Sequence, residues 1–165
     1  MRRVILLVGL AFVVALFFVG SAASAVRGSD LPFMTTQSGT STLNAQGQGT
    51  GISTGTASHF GLVTFDQQLQ LVPTGVTGTF DWFGTWTMTA ANGDEISGTS
   101  SGSGTFTDPV HATWVVTYTS TAGTGRFADA SLTFVGTAHT TRTSAPGVNP
   151  STGVFDATGV GLLSY

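Results

Sequence analysis

The sequence has no cysteine and no lysine among its 165 residues, and little charge of either sign. Without cysteine there is no disulfide framework and no lipid-modified cysteine behind a leader, so stability must come from packing and strand pairing. Five cations, all arginine, face eight acidic residues for a formal net charge of −3. A phosphate backbone requires clustered basic side chains, so nucleic acid is not an expected partner. Helical periodicity is missing as well: after the first residues no segment repeats apolar side chains every three to four positions. What fills the chain instead is glycine, with 23 residues, and threonine, roughly a fifth of residues 26–165. Threonine is β-branched and favours strands, and its hydroxyl takes the surface role usually given to charge.

Arg2 and Arg3 precede an unbroken apolar run from Val4 to Val19, and the next residues are small, ending in Ala23-Ser24-Ala25. That order reads as a signal peptide over residues 1–25, cleaved after Ala25. The competing reading is an uncleaved anchor, since the run approaches the ~20 apolar residues that span a bilayer. The small-residue site follows directly, however, and no stop-transfer charges do. The arginine pair lacks the flanks of a twin-arginine leader, so general secretion is expected. The mature protein is then secreted or held at the cell envelope, with no membrane contact after cleavage. Residues 26–165 suffice for one domain with its own core, and nothing in them sets an oligomeric state.

The most ordered signal lies between Thr79 and Ser97. Phe80, Trp82, Trp86 and Met88 share one parity, while Asp81, Thr85, Thr87 and Thr89 share the other, the two-residue period of a half-buried strand. Asn92-Gly93 then suits a type I′ turn, in which both central residues take positive φ, and the chain returns through Glu95 and Ile96. Similar alternation predicts seven or eight strands, at about 33–43, 54–65, 68–73, 79–91, 95–106, 111–121, 132–141 and 153–164. Small and large residues alternate on the inward sides, as in Leu132, Phe134, Gly136, Ala138 and in Phe155, Ala157, Gly159, Gly161, Leu163. That alternation suits the tapering interior of a small barrel, and pairing the last strand with the first removes an exposed edge. The expected fold is all-β, a small antiparallel up-and-down barrel, with a β-sandwich as the alternative. Gly123–Ala130 breaks the pattern as a turn, with Phe127 plugging one barrel end.

Three blocks occur in order: Ala57-Ser58-His59-Phe60-Gly61, Ala90-Ala91-Asn92-Gly93-Asp94 and Gly123-Thr124-Gly125-Arg126-Phe127-Ala128. They resemble a family of exported, uncharacterised bacterial β-barrel proteins whose blocks read ATHLG, AANGD and GTGRFA. The chain departs from that pattern at Ser58, at Phe60 and in lacking a glycine near Ser131. More remotely, the Gly-x-Gly-x-Phe loop before a late strand resembles the barrels of allene oxide cyclases and dirigent proteins, which bind small hydrophobic or phenolic molecules. No position matches their catalytic residues, so the resemblance implies the barrel and none of the activity.

Candidate chemistry is sparse. Gly98-Thr99-Ser100-Ser101-Gly102 matches the string of a nucleophile elbow, but that motif works only where a helix follows, and none is expected. Gly47, Gly49 and Gly51 lack the Lys-Ser/Thr ending of a phosphate loop. His59, His111 and His139 are isolated, so no metal site, cofactor or catalytic set is implied. His111 and His139 share parity with outward threonines, whereas His59 shares parity with Val63 and Phe65 and is expected to face inward. Asp94, Glu95 and Arg126 are candidates for a polar cluster at one barrel end, Asp94 holding its turn and Arg126 pinning its loop. Trp82, Trp86, Trp114 and Tyr118, with His59, are the candidate ligand-binding residues. Aromatic side chains serve a filled core and a ligand cavity equally well, and the filled core is favoured. The expected role is non-enzymatic binding of a small hydrophobic or aromatic molecule. A Thr-rich face that meets a cell-surface glycan is the alternative. An isomerase or lyase comes third, and would need His59 or Glu95 beside a cavity.

Overall fold

The structure, a computed structural model, describes residues 30–165. The leader expected over residues 1–25 lies outside them. Eight strands follow one another: β1 Leu31–Leu43, β2 Gln48–Ala57, β3 Gly61–Pro73, β4 Thr79–Ala90, β5 Glu95–Phe106, β6 His111–Gly123, β7 Ser131–Arg142 and β8 Ser151–Ser164. A single 3₁₀ turn at Gly125–Phe127 separates β6 from β7. Each strand pairs antiparallel with its sequence neighbours, and β1 pairs with β8 from Leu31↔Leu163 to Leu43↔Ser151, so the sheet closes into a barrel. Closure pairs both edges of every strand, which removes the open edge through which β-proteins aggregate and replaces the sandwich alternative.

The alternation read in the sequence is the one the barrel uses. In β1, Phe33, Thr35 and Gln37 are buried while Met34, Thr36 and Ser38 are exposed. In β4, Phe80, Trp82, Trp86 and Met88 are buried. Glycine is needed where strands coil tightly: a Cβ at Gly39 would fall on the backbone of Ile52 and Ser53.

Two expectations are corrected. The hairpin after β4 is not type I′: Gly93 has φ 86°, but Asn92 is not among the positive-φ residues. Gly93 N donates to Ala90 O (2.9 Å) and Ala90 N to Asp94 O (2.9 Å), the pattern of a three-residue loop with glycine in the left-handed position. The second correction concerns 54–65 and 68–73, expected as two strands. The chain instead turns at 58–60, between a β2 that starts at Gln48 and an unbroken β3 from Gly61. His59 sits in that turn with φ 68° rather than on an inward strand position, and Gly61 follows with φ 78°.

The turns divide between two ends. Loops 58–60, 91–94 and 124–130 lie at one end, with the start of β1 and the finish of β8. Loops 44–47, 74–78, 107–110 and 143–150 lie at the other. The first end is packed solid. Phe127 is completely buried and stacks on Phe60 at 3.9 Å between ring centroids, and Met88, Ile96, Leu132 and Leu163 are equally buried. Each such side chain contributes about 1.5–3 kcal/mol relative to an exposed one, so this end carries much of the folding energy.

Candidate functional site

Going round the barrel towards its second end, the inward side chains of one wall are mostly large and those of the opposite wall mostly small, with Phe155 of β8 the large ring among the latter. β3, β4 and β6 present Leu69, Trp82 and Trp114, while β7, β8 and β2 present Gly136, Ala138, Ala157 and Gly51. The missing side chains leave a cavity of about 410 Å³ that reaches from the loops near Asn44, Val110 and Val148 to the middle of the barrel. That volume lies within the range of small-molecule sites. The filled core expected from the sequence therefore describes only half of the interior.

The floor of the cavity is a layer of aromatic rings. Tyr118 and Phe134 stack at 4.5 Å with an interplanar angle of 8°, and Phe65 meets Tyr118 edge-on. Polar groups are set into this floor. The Tyr118 hydroxyl donates to Gln67 Oε1 (3.0 Å), Ser53 Oγ donates to Gln37 Oε1 (2.7 Å), and Gln37 Nε2 donates to Thr35 Oγ1 (3.0 Å). Desolvation pushes the Tyr118 phenol well above its ordinary range. Among the described residues lining the cavity, only Tyr118 and Arg142 are ionisable, and no carboxylate or imidazole is among them.

The mouth is braced by its own hydrogen bonds. Asn44 Oδ1 accepts from the N–H groups of Gln46 (3.0 Å) and Gln48 (2.9 Å), and Ala45 N donates to Asn149 Oδ1 (3.0 Å), which ties two loops together. Arg142 stands at the rim, donating from Nε to Ser144 Oγ (3.1 Å) and from Nη2 to Ala145 O (3.4 Å). Asp108 Oδ2 pairs with His111 Nδ1 at 2.8 Å. That side-chain bond, then the N–H groups of Val110 and His111, hold the Asp108 carboxyl below its usual value.

The structure separates the expected ligand-binding residues. Trp82, Trp114 and Tyr118 line the cavity. Both tryptophans satisfy their ring nitrogens, Trp82 on Ser100 Oγ (3.1 Å) and Trp114 on Thr140 Oγ1 (2.8 Å), and the two rings meet edge to face at 4.6 Å. Ser100 is thus a buried strand residue that accepts from an indole, in a strand with no helix behind it. Trp86 does not line the cavity: it lies below the floor, 2% exposed, stacked on Phe65 and donating to Thr99 O. His59 is at the opposite end, exposed, with Nε2 3.1 Å from Pro32 O. His111 and His139 are exposed, as their parity predicts.

The polar cluster forms in part. Arg126 Nε lies 3.6 Å from Asp94 Oδ2 and Nη2 donates to Phe60 O (3.4 Å), while Asn92 Nδ2 donates to Asp94 Oδ2 (2.8 Å). Glu95 turns away, its carboxylate accepting from Thr89 Oγ1 (3.2 Å). Comparison of the chain with family models, with curated proteins and with solved structures returns no match. The three sequence blocks can still be located in the fold, and all of them meet at the packed end. Phe60, Asp94, Arg126 and Phe127 touch one another there, so the blocks build the plug and leave the cavity to the rest of the chain.

Gln67 and Gln37 line the cavity without having been singled out in the sequence, and Phe155, expected only as an inward residue of the last strand, lines it as well. Gln67 fell in the gap between two expected strands. With β3 continuous it stands in the inward row Val63, Phe65, Gln67, Leu69, Leu71, where a lone amide is the signal.

Proposed function

We propose that this is an exported, non-enzymatic barrel that binds a small apolar or aromatic molecule in its open half. The observation that carries this is the cavity of about 410 Å³ between the Trp82–Trp114 wall and the small residues of β7 and β8. Apolar burial against such a wall is favourable by about 25 cal/mol per Å², and the braced mouth reduces the ordering cost of binding. Export rests on the leader pattern of residues 1–25. Solvent extraction of the purified protein followed by mass spectrometry, with tryptophan-quenching titrations against a panel of aromatic compounds, tests the reading. A saturable quench that Trp114→Leu weakens is expected, and no quench by any panel member refutes it.

A second reading has an observation of its own. Thr85, Thr99, Thr119 and Thr133 stand in register across β4–β7, and beside Thr85 a shallow outer groove holds Gln48, Gln68 and the half-exposed Phe83. Hydroxyls and amides beside one aromatic ring suit a cell-surface glycan. Retention by polysaccharide fractions, lost in Thr85→Val with Phe83→Ala, is the test. The isomerase or lyase reading has no such support, since His59 and Glu95 lie at the end opposite the cavity.

A further inference from the structure

The barrel floor is built to satisfy its own polar atoms, with one exception. Gln67 is 8% exposed, so its amide is withdrawn from bulk water. Its oxygen is taken by the Tyr118 hydroxyl at 3.0 Å. Its nitrogen has no protein partner among the described residues, yet no fully enclosed polar side-chain atom is left without one. The nitrogen is therefore reached from the cavity. Gly51 borders it: a Cβ at that position would lie 3.7 Å, an ordinary contact distance, from both Gln67 Nε2 and Phe155 Cε1. The neighbouring amide is arranged differently: Gln37 spends its oxygen on Ser53 and a nitrogen proton on Thr35.

The Tyr118 bond decides which way the Gln67 amide points. A phenol proton needs an acceptor, and burial keeps that proton on the oxygen, so Gln67 must offer Oε1 to Tyr118 and turn its NH₂ towards the empty space. A buried donor pair facing an apolar, aromatic cavity leaves desolvated hydrogen-bonding capacity that a ligand acceptor would complete. A carboxylate at this depth would meet no cation, because Arg142, the only arginine on the lining, stands at the rim.

Resting on the proposed ligand-binding function, we infer that the cavity selects an uncharged, flat aromatic molecule carrying a carbonyl-type acceptor, inserted acceptor-first so that Gln67 Nε2 donates to it. Gln67 is the residue that determines specificity, and Tyr118 is a positioning residue that fixes the amide. Trp82 and Trp114 bind the ring system without reading its substituents.

The test uses two probes of matched shape, an aryl methyl ketone and the isopropenyl arene in which a methylene replaces the carbonyl oxygen, titrated by tryptophan quenching. The wild type should bind the ketone about tenfold more tightly, the scale of one net hydrogen bond. In Gln67→Met on a Tyr118→Phe background, which keeps the volume and removes the amide donors without freeing a phenol proton to replace them, the two affinities should converge to within about twofold, mainly by weakening of the ketone. The bound ketone should also show a red-shifted carbonyl stretch in the wild type, a readout that needs no variant to fold. Equal affinity of the wild type for both probes, or an unshifted carbonyl stretch, overturns the inference while leaving the ligand-binding function standing. Preference for the ketone retained in Gln67→Met on the Tyr118→Phe background does the same. Failure of the wild type to bind either probe or any other aromatic compound overturns both.

Discussion

Replacing Ala138 by phenylalanine would place a ring inside the barrel at a point that borders the cavity, beside the Trp114 indole. Ala138 is on the inward face of β7, paired with Trp114 on β6 and Ala157 on β8, and its methyl group borders the cavity. Burial of a phenylalanine side chain is worth about 1.5–3 kcal/mol, part of which is offset by the alanine methyl it replaces and by lost rotamer freedom. A net gain of about 1 kcal/mol is expected, seen as a rise in Tm of roughly 3–6 °C for a domain of this size. The same ring occupies ligand space, so affinity for any aromatic probe should fall at least tenfold. Ala90→Phe is the control, because Ala90 is 3% exposed in the packed half. Over-packing there should cost about 1–3 kcal/mol and leave binding intact in the folded fraction. Thermal unfolding by circular dichroism and tryptophan-quenching titration read the two effects. Loss of stability in Ala138→Phe comparable to that in Ala90→Phe would refute the hollow half, because only a filled interior penalises both sites alike.

Phe127→Ala should cost about 3–5 kcal/mol by emptying the plug, with ligand affinity unchanged at temperatures where the variant is folded; weakened binding in folded protein would contradict the division into two halves. Gly125→Ala should be more destabilising than Gly93→Ala in urea unfolding. Both glycines have positive φ, 54° and 86°, but a Cβ at Gly125 would fall on the Asp94 carboxylate whereas one at Gly93 meets open space. The left-handed conformation alone accounts for about 1–2 kcal/mol, and equal losses would show that the Asp94 contact is unimportant. Burial raises the folded-state pKa of Tyr118 above its ordinary 10.0. Its contribution to stability is whole below that value and is lost as pH rises from about 10 through the folded-state value. Tyr118→Phe should therefore flatten the alkaline arm of the stability profile; an unchanged arm would assign alkaline unfolding to other groups.

Much of the barrel is legible in the sequence because one rule, a period of two, governs every strand and each reversal is usually marked by glycine or proline. β5 is read to the residue, and β4 to within one residue. The reading fails where the turn carries no such mark. Ser58-His59-Phe60 reverses the chain with a histidine in the left-handed region, and the marker, Gly61, comes only after the reversal. Gly49 and Gly51 mislead in the opposite direction: they look like loop residues and belong to β2, where close neighbours or cavity space replace a side chain. The cavity is hidden for a different reason. Trp82 and Trp114 look the same whether they fill a core or line a hollow, and what decides is the size of the residues facing them across the barrel. That pairing depends on strand order around the closed sheet, which no single strand's pattern contains. Asp94 and Arg126 are each legible as turn residues from local chemistry, but their meeting again depends on strand order, which sets the 91–94 and 124–130 loops side by side at one end.

Asp30 and Ser164 are joined by a hydrogen bond between their side chains, next to the Leu31↔Leu163 pair. Both ends of the described chain therefore leave the barrel at its plugged base, and the mouth points the other way. Attachment of this domain to a bead, a sensor surface or a fusion partner through either end would leave the mouth facing solution. The same adjacency allows the two ends to be linked by a short flexible connector and the chain reopened in an exposed loop, which would move a tether to the rim and make it a gate.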